Sequence, residues 1–221
     1  MKREMTMIKS AVITGGHHYN VMAFHQLFRD LPGIDAYIQP MEDFVTSTPE
    51  VRSSYQVLVF YTHLKGELAD PGGPPGQDST VRTVLESLSS TRQGIVMLHH
   101  SLLAFPGWEI WDDLVGMSDR TLKDYAHDEA IPAHIVDPAH PITTGLTDWT
   151  ITDETYLMPD AADENHILIT TRHPRSMATL AWTRQYRTSR VFCLQLGHDH
   201  QAWCDVRFRK LLTQAIGWCA Q

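Results

Sequence analysis

Histidines follow three apolar runs of this chain, and they are the residues best suited to do chemistry. The pairs are His17 and His18 after AVITGG, His99 and His100 after GIVML, and His198 and His200 after VFCLQLG. Each run has the length and composition of a buried strand. Because the carboxyl ends of parallel strands converge on one crevice in an open α/β sheet, we predict that these histidines share a ligand site.

An imidazole transfers protons near neutral pH and is also a common metal ligand, so the pairs allow either role. Neighbouring residues of a loop point in different directions, and we therefore expect one histidine of each pair to face the ligand. The predicted site contains His17 or His18 from the first pair, His99 from the second and His198 from the third.

A carboxylate is needed to orient an imidazole, to act as a general base or to complete a metal site. The stretch DETY supplies Asp153 and Glu154, and its apolar flanks predict that one of them is half-buried at a strand end. A buried carboxylate among histidines is expected to have a shifted pKa, as functional groups often do. The alternative is a pair of solvated residues in a turn.

Two roles remain open for these side chains. A divalent ion such as zinc could be held by His99 and His198 with Glu154, or by His17, His99 and His198, although the chain lacks the HxxxH spacing of zinc proteases. Alternatively, His99, His198 and Glu154 share the roles of acid and base. Nucleophilic catalysis is disfavoured, because the chain has no GxSxG elbow and offers only Ser101 after the second histidine pair.

Strand and helix patterns alternate in the first half of the chain. Apolar runs predict strands at 8–14, 34–38, 56–62 and 94–98, and helical spacing predicts helices after Asn20 and over 79–92. This alternation is typical of a doubly wound, mostly parallel α/β sheet with helices on both faces, as in flavodoxin-like folds. The stretch LADPGGPPGQDS between the third strand and the second helix predicts a loop that walls or covers the site.

The second half of the chain has a different pattern. Residues 105–116 predict a short helix that buries Trp111, with Trp108 left open as a surface on which a sugar ring could stack. Short strands are then predicted in HIVD, DPAHPITTGL, WTITDETY, HILITT, ATLAWT and RVFCLQL. Consecutive strands without helices between them indicate an antiparallel extension of the parallel sheet. One helix over 201–219 is expected to end the chain.

Composition narrows the class of protein. A chain of 221 residues with 43% hydrophobic residues fits a single domain over 1–221. The net charge of −8, with no basic cluster longer than RFRK, disfavours nucleic acid or an anionic membrane as partner. Three cysteines without a CxxC pair fit a reducing compartment. With no leader or membrane-spanning pattern, we expect a cytoplasmic protein, and base rates favour a homodimer.

Several longer motifs resemble a known family. They are GGHHYNVMAF, GIVMLHHSLLAFPGWEIWDDLVG, DPAHPITTGL followed by DETY, and VFCLQLGHDHQAWCDVRFRKLLTQAIGW. In this order they resemble the trehalose-utilisation (ThuA-like) family, whose fold is that of class I glutamine amidotransferases. In those amidotransferases a nucleophilic cysteine occupies the strand-to-helix elbow, which falls here on or beside His99. Glutaminase activity is therefore not expected.

The resemblance implies a role in carbohydrate metabolism, with catabolism of disaccharides through keto-sugar intermediates and a divalent metal in some relatives. It points to His17, His99, Glu154 and His198 as the site. The leading hypothesis is a hydrolase or lyase that acts on a keto-glycoside or related sugar, without a nucleotide cofactor. Further substrate contacts are predicted at His17, His18, Tyr61, His100 and Trp108. The alternative is a non-catalytic sugar-binding or regulatory module, in which Trp108 and Tyr61 stack on the ligand.

Overall fold

A computed structural model describes residues 7–66 and 77–221 of the chain. The strands in these ranges are β1 (Ile8–Gly15), β2 (Ile34–Pro40), β3 (Val57–Thr62), β4 (Gly94–Leu98), β5 (Asp124–Ile135), β6 (Trp149–Leu157), β7 (His166–Thr170), β8 (Thr179–Tyr186) and β9 (Ser189–Leu194). The helices are α1 (Val21–Arg29), α2 (Met41–Thr46), α3 (Pro49–Ser53), α4 (Gln77–Ser87), α5 (Glu109–Val115), α6 (His200–Cys204) and α7 (Val206–Cys219).

The described strands form one nine-stranded sheet in the order β2-β1-β3-β4-β9-β8-β7-β5-β6. The pairs from β2 to β9 are parallel, and the pairs from β9 to β6 are antiparallel. The prediction of an α/β protein with an antiparallel extension is confirmed. Strand β9 lies between the two parts, so the parallel strands that carry the histidines are β1, β3, β4 and β9.

Helices cover both faces of the parallel part of the sheet. Val12 and Val59 pack with α1 and α7 in one core, while Ile13 and Phe60 pack with α2, α4 and α5 in the other. Burial on both faces explains why these strands are continuous apolar runs rather than alternating ones. Each fully buried aliphatic or aromatic side chain contributes about 1.5–3 kcal/mol. The buried sheet therefore holds in place the loops that follow the carboxyl ends of its parallel strands.

Two predicted helices agree with the structure. The Asn20 side chain accepts a hydrogen bond from the Ala23 N–H (3.0 Å) and caps α1, as its residue type suggested. The segment 105–116 contains α5, and the fully buried Trp111 donates to the Ser101 carbonyl (2.8 Å). The predicted Gly/Pro-rich loop falls largely at residues 67–76, outside the described residues, and α4 already begins at Gln77.

The segment DPAHPITTGL does not form the predicted strand. Its residues form successive turns between β5 and β6. The Asp137 carboxylate accepts hydrogen bonds from the N–H groups of Ala139 (3.0 Å) and His140 (3.2 Å), and Thr143 N–H donates to the His140 carbonyl. Aspartate followed by two prolines favours such local hydrogen bonds over pairing with another strand.

The last helical segment is divided into α6 and α7, where one helix over 201–219 was predicted. The break lies at Asp205, whose Oδ1 accepts hydrogen bonds from the N–H groups of Arg207 (2.7 Å) and Phe208 (3.2 Å). Asp205 is therefore the N-cap of α7, and the capped N–H groups belong to a new helix rather than to a continuing one. Among the residues described, no helix has both the length and the apolar character needed to cross a membrane.

Replacing Asp205 with alanine is expected to lower the free energy of unfolding by about 1 kcal/mol at pH 7, because the first turn of α7 loses its cap. Burial alone would raise the pKa of Asp205, but hydrogen bonds from Arg207 and from the backbone outweigh it and lower the pKa. Because the pKa is lowered, the contribution of Asp205 to the free energy of unfolding is present when the pH is above the ordinary aspartate pKa near 4. The contribution is lost as the pH falls below that value. Urea unfolding at pH 7 and pH 3 should show a smaller difference between the two proteins at pH 3. An unchanged difference would contradict this role.

Candidate active site

The four parallel strands that face the crevice each lead into a histidine. His17 follows β1, His63 follows β3, His99 follows β4, and His198 lies four residues after β9. The ring centroids of His17 and His198 are 5.7 Å apart, those of His99 and His198 are 5.2 Å apart, and those of His17 and His63 are 5.9 Å apart. The carboxyl end of the sheet thus gathers imidazoles from four separate parts of the chain.

His99 lies at the elbow where β4 ends and a short 3₁₀ turn begins. Its φ angle is 53°, a left-handed conformation that is unfavourable for residues other than glycine and that clusters at functional sites. The neighbouring Ser101 ties the turn to β3, since its hydroxyl donates to the Phe60 carbonyl (2.7 Å) and accepts from Thr62 N–H (2.9 Å). Ser101 is fully buried and has this structural role, so the structure does not support a nucleophile there.

The partners of His99 fix the orientation of its ring and one of its protons. Nδ1 lies 2.6 Å from the carbonyl oxygen of Gln195, which can only accept, so Nδ1 carries the proton. Nε2 then faces the Glu154 carboxylate at 2.9 Å, the Tyr156 hydroxyl at 2.7 Å and His198 Nδ1 at 3.2 Å. The fully buried ring therefore presents Nε2 to three polar groups at once.

Glu154 is buried in β6 and contacts three imidazoles. Its Oε2 lies 2.9 Å from His99 Nε2 and 3.2 Å from His198 Nδ1, and its Oε1 lies 3.2 Å from His127 Nδ1. Burial would raise the pKa of Glu154, but hydrogen bonds and positive charge from His198 and His99 outweigh burial and hold the pKa well below its usual range. Glu154 is thus a carboxylate inside a cluster of imidazoles.

Three of these groups could hold a metal ion. Ligand atoms of His99, Glu154 and His198 all lie within 4.8 Å of one another. Two imidazole nitrogens and a carboxylate oxygen suit zinc and similar divalent ions. The hydrogen bond from His99 Nδ1 to a backbone carbonyl is the contact that orients metal-binding histidines in many proteins. The donor set therefore fits a divalent metal, and of the two predicted sets it is the one with Glu154 rather than His17 whose ligand atoms lie together.

Asp153, the neighbour of Glu154, organises the loop that carries His198. Its carboxylate accepts hydrogen bonds from the N–H groups of Gly197 (2.6 Å), His198 (3.0 Å) and Glu154 (2.9 Å). Burial raises the pKa of Asp153, while the charge of His99 and these three hydrogen bonds lower it in part. Both residues of the predicted carboxylate pair are buried, and each has its own role.

A second group of imidazoles lies beside the first. The ring of His100 is 4.7 Å from that of His17 and 5.6 Å from that of His63, and these rings line a cavity of about 240 Å³ that also borders Glu154. Burial lowers the pKa of His100 and His17, and burial with the charge of Lys65 lowers the pKa of His63 to about 4. Both members of the second histidine pair thus face the crevice, contrary to the prediction of one per pair.

Three predicted substrate contacts lie elsewhere. His18 is exposed and is not among the residues lining the described cavities of the crevice, and the same holds for His200, the member of the third pair that was not chosen. Trp108 packs on Phe105 in the core on one face of the sheet, so it cannot stack on a ligand in the crevice. Tyr61 is 1% exposed, and its hydroxyl donates to the His198 carbonyl (2.8 Å). Tyr61 therefore supports the histidine loop instead of offering a stacking surface.

Sequence reasoning missed His63, Tyr156 and His127. His63 follows the apolar run VLVFYT, which is the same signal that identified the other histidines. Tyr156 lies two residues after Glu154 in β6, and residues two apart in a strand share a face. His127 lies at an irregularity in β5, between the pairings of Ala126 and Glu129, so no sequence pattern indicated its position.

The protein is thus of the α/β class, and it carries a cluster of histidines and a carboxylate at the carboxyl ends of its parallel strands. A family model described as trehalose utilisation (ThuA) matches residues 13–219. The chain therefore belongs to the ThuA family, as its motifs predicted. A search of curated proteins finds no match to this sequence.

Solved structures show the same fold. A ThuA-like protein from Parabacteroides merdae has 20% identity and a TM-score of 0.71, with 97% of this chain and 90% of that chain covered. A cytoplasmic protein from Salmonella typhimurium has 12% identity and a TM-score of 0.63, with 95% and 98% covered. A GMP synthase component from Thermoplasma acidophilum has 15% identity and a TM-score of 0.61, with 97% and 94% covered. The last likeness supports the predicted glutamine amidotransferase-like fold.

Proposed function

We propose that this protein is an enzyme of carbohydrate metabolism, a hydrolase or lyase that acts on a keto-glycoside or related sugar. The observation that carries the proposal is the convergence of His99 Nε2, Glu154 Oε2 and His198 Nδ1 on one point of the crevice. Membership of a family described as trehalose utilisation supports a sugar as substrate. The strained backbone of His99 and the fixed orientation of its ring support a catalytic role over a purely structural one.

His99, Glu154 and His198 would hold a divalent metal ion. Such an ion supplies electrophilic polarisation of a carbonyl or hydroxyl oxygen. The protein itself contributes orientation: the Gln195 carbonyl fixes His99, Asp153 fixes the His198 backbone, and His127 contacts the second oxygen of Glu154. Each ligand is therefore positioned by a further group, as is usual around metal sites.

Proton transfer is assigned to the groups around this centre. Removal of a proton next to a ketone requires a base near neutrality within hydrogen-bond reach of the carbon-bound proton. His127 contacts Glu154, and its side chain is 53% exposed, so it lies between the buried carboxylate and solvent. The Tyr156 hydroxyl, which burial keeps protonated by raising its pKa, donates to His99 Nε2 when that nitrogen binds no other group.

The alternative of a sugar-binding module without catalysis has less support. It relied on Trp108 and Tyr61 as stacking surfaces. Both are buried, Trp108 in a core and Tyr61 behind the histidines. Sugar binding alone also does not require a buried carboxylate that faces three imidazoles at hydrogen-bond distance. Burial of such charged groups is energetically costly.

Elemental analysis of untagged protein, purified without chelator, tests the proposal. We expect about one equivalent of a divalent metal in the wild-type protein and its loss in His99→Ala, because removal of one of three protein ligands strongly weakens binding. His18→Ala, in which an exposed histidine outside the cluster is removed, should keep the metal. Equal metal content in the wild-type protein and His99→Ala would exclude this centre as the metal site.

A further inference from the structure

The cavity beside the proposed metal centre contains a buried polar residue whose hydrogen-bonding groups have no partner. His100 is 1% exposed, and neither of its ring nitrogens has a hydrogen-bond partner among the described residues. A buried polar group without a partner is normally destabilising, because it has lost its hydrogen bonds to water. A protein keeps such a group where a ligand or ordered water completes its hydrogen bonds.

Aromatic rings surround His100 and hold it in place. Tyr61 lies behind it with ring centroids 4.1 Å apart, and His17 lies 4.7 Å away on the exposed side. Phenylalanine would keep these packing contacts equally well. The polar atoms of His100 are therefore not explained by packing.

The lining of the cavity is partly polar and partly apolar. Imidazoles from three strand ends supply polar atoms, and Leu103, Leu122 and Tyr125 supply apolar surface. A sugar ring has the same combination, with hydroxyl groups along its edge and C–H groups on its faces. Each hydroxyl can both donate to and accept from a neutral imidazole.

We propose that this cavity, lined by His17, His63 and His100, is a separate subsite for one neutral, hydroxyl-rich ring, and that His100 hydrogen-bonds to it. The subsite deepens the function proposed above, since it places one ring of the sugar beside the reacting group. A second cavity of about 260 Å³, which includes His198 and Asp199, shares His127 and Glu154 with it. A ligand that fills both cavities therefore contacts His127 and Glu154 in each.

Charge determines which ring fits. Glu154 contributes a carboxylate to the wall, and the Lys65 ammonium contacts Nε2 of His63. Because the carboxylate belongs to the wall and the lysine is engaged by His63, we expect no preference for an anionic ring. A sugar that carries phosphate should therefore bind no more tightly than the unmodified sugar.

His100→Phe tests the subsite by calorimetric titration with trehalose and by thermal unfolding without ligand. We expect roughly tenfold weaker binding of trehalose, since a hydrogen-bonded group is lost, and a rise in Tm of about 2–4 °C, since an unpartnered polar group is removed. His100→Gln keeps a donor and an acceptor, so it should bind trehalose more tightly than His100→Phe. His18→Phe is the matched control and should change neither quantity.

Three results would overturn the subsite. They are wild-type protein that does not bind trehalose, unchanged affinity in His100→Phe, and tighter binding of trehalose phosphate than of trehalose. Loss of a metal equivalent in His100→Phe would also overturn it, because the residue would then be a metal ligand. The proposed centre at His99 is judged separately by metal content and turnover in His99→Ala, so either proposal can fail while the other stands.

Discussion

Glu154→Gln is expected to lower turnover of a keto-glycoside, such as trehalose oxidised to its keto form, by about 10²–10⁴-fold. Glutamine has nearly the same size, so the packing around β6 is kept. It lacks the negative charge that faces His99, His198 and His127 at 2.9–3.2 Å. Both roles assigned to this carboxylate, metal binding and organisation of the imidazoles, depend on that charge. Steady-state kinetics with metal analysis of the same sample measures the effect.

Glu164→Gln is the matched control for this experiment, because Glu164 is an exposed glutamate of the loop between β6 and β7. It should leave turnover and metal content unchanged. Glu154→Asp shortens the side chain but keeps the charge, and partial activity is expected. If Glu154→Gln retained wild-type turnover, the carboxylate would have no part in the reaction, and the proposed centre would have to be abandoned.

Asp153→Ala is expected to reduce the free energy of unfolding by about 3 kcal/mol, because three backbone N–H groups lose their shared acceptor. Two of these groups, at Gly197 and His198, form the loop that holds the His198 ring against Glu154. We therefore expect metal binding to weaken by about 10–100-fold, as is typical when a group that orients a ligand is removed. Urea unfolding and metal titration measure the two effects.

The effect on metal binding separates this role from a purely structural one. Asp153→Asn keeps one acceptor oxygen but turns an NH₂ group toward a backbone donor, so it should lie between the wild-type protein and Asp153→Ala in both measurements. Asp163→Asn changes an exposed aspartate and should alter neither. A stable Asp153→Ala protein with unchanged metal affinity would show that the loop of His198 does not need this carboxylate.

Local sequence patterns determined the strands and the places where chemistry could occur. The runs that end at His17, His99 and His198 are buried on both faces of the sheet, and burial of this kind requires continuous apolar residues that are visible in the sequence. Asn20 capped the first helix as predicted, because capping depends on residues within one turn. Asp205 has the same chemistry, but its effect was hidden by helical spacing that continues through the break at 205.

Only the tertiary structure decided which atoms meet in the site. The sequence predicted both Glu154 and His17 as partners of His99 and His198, and it could not decide between them, because β6 reaches the crevice from the far edge of the sheet. It also could not show that Trp108 is packed in a core, that His127 reaches Glu154 from an irregular strand, or that His100 lacks a partner. These contacts join residues that are far apart in the chain. The sequence thus determined the sheet and the imidazoles at its strand ends, whereas long-range packing determined their partners.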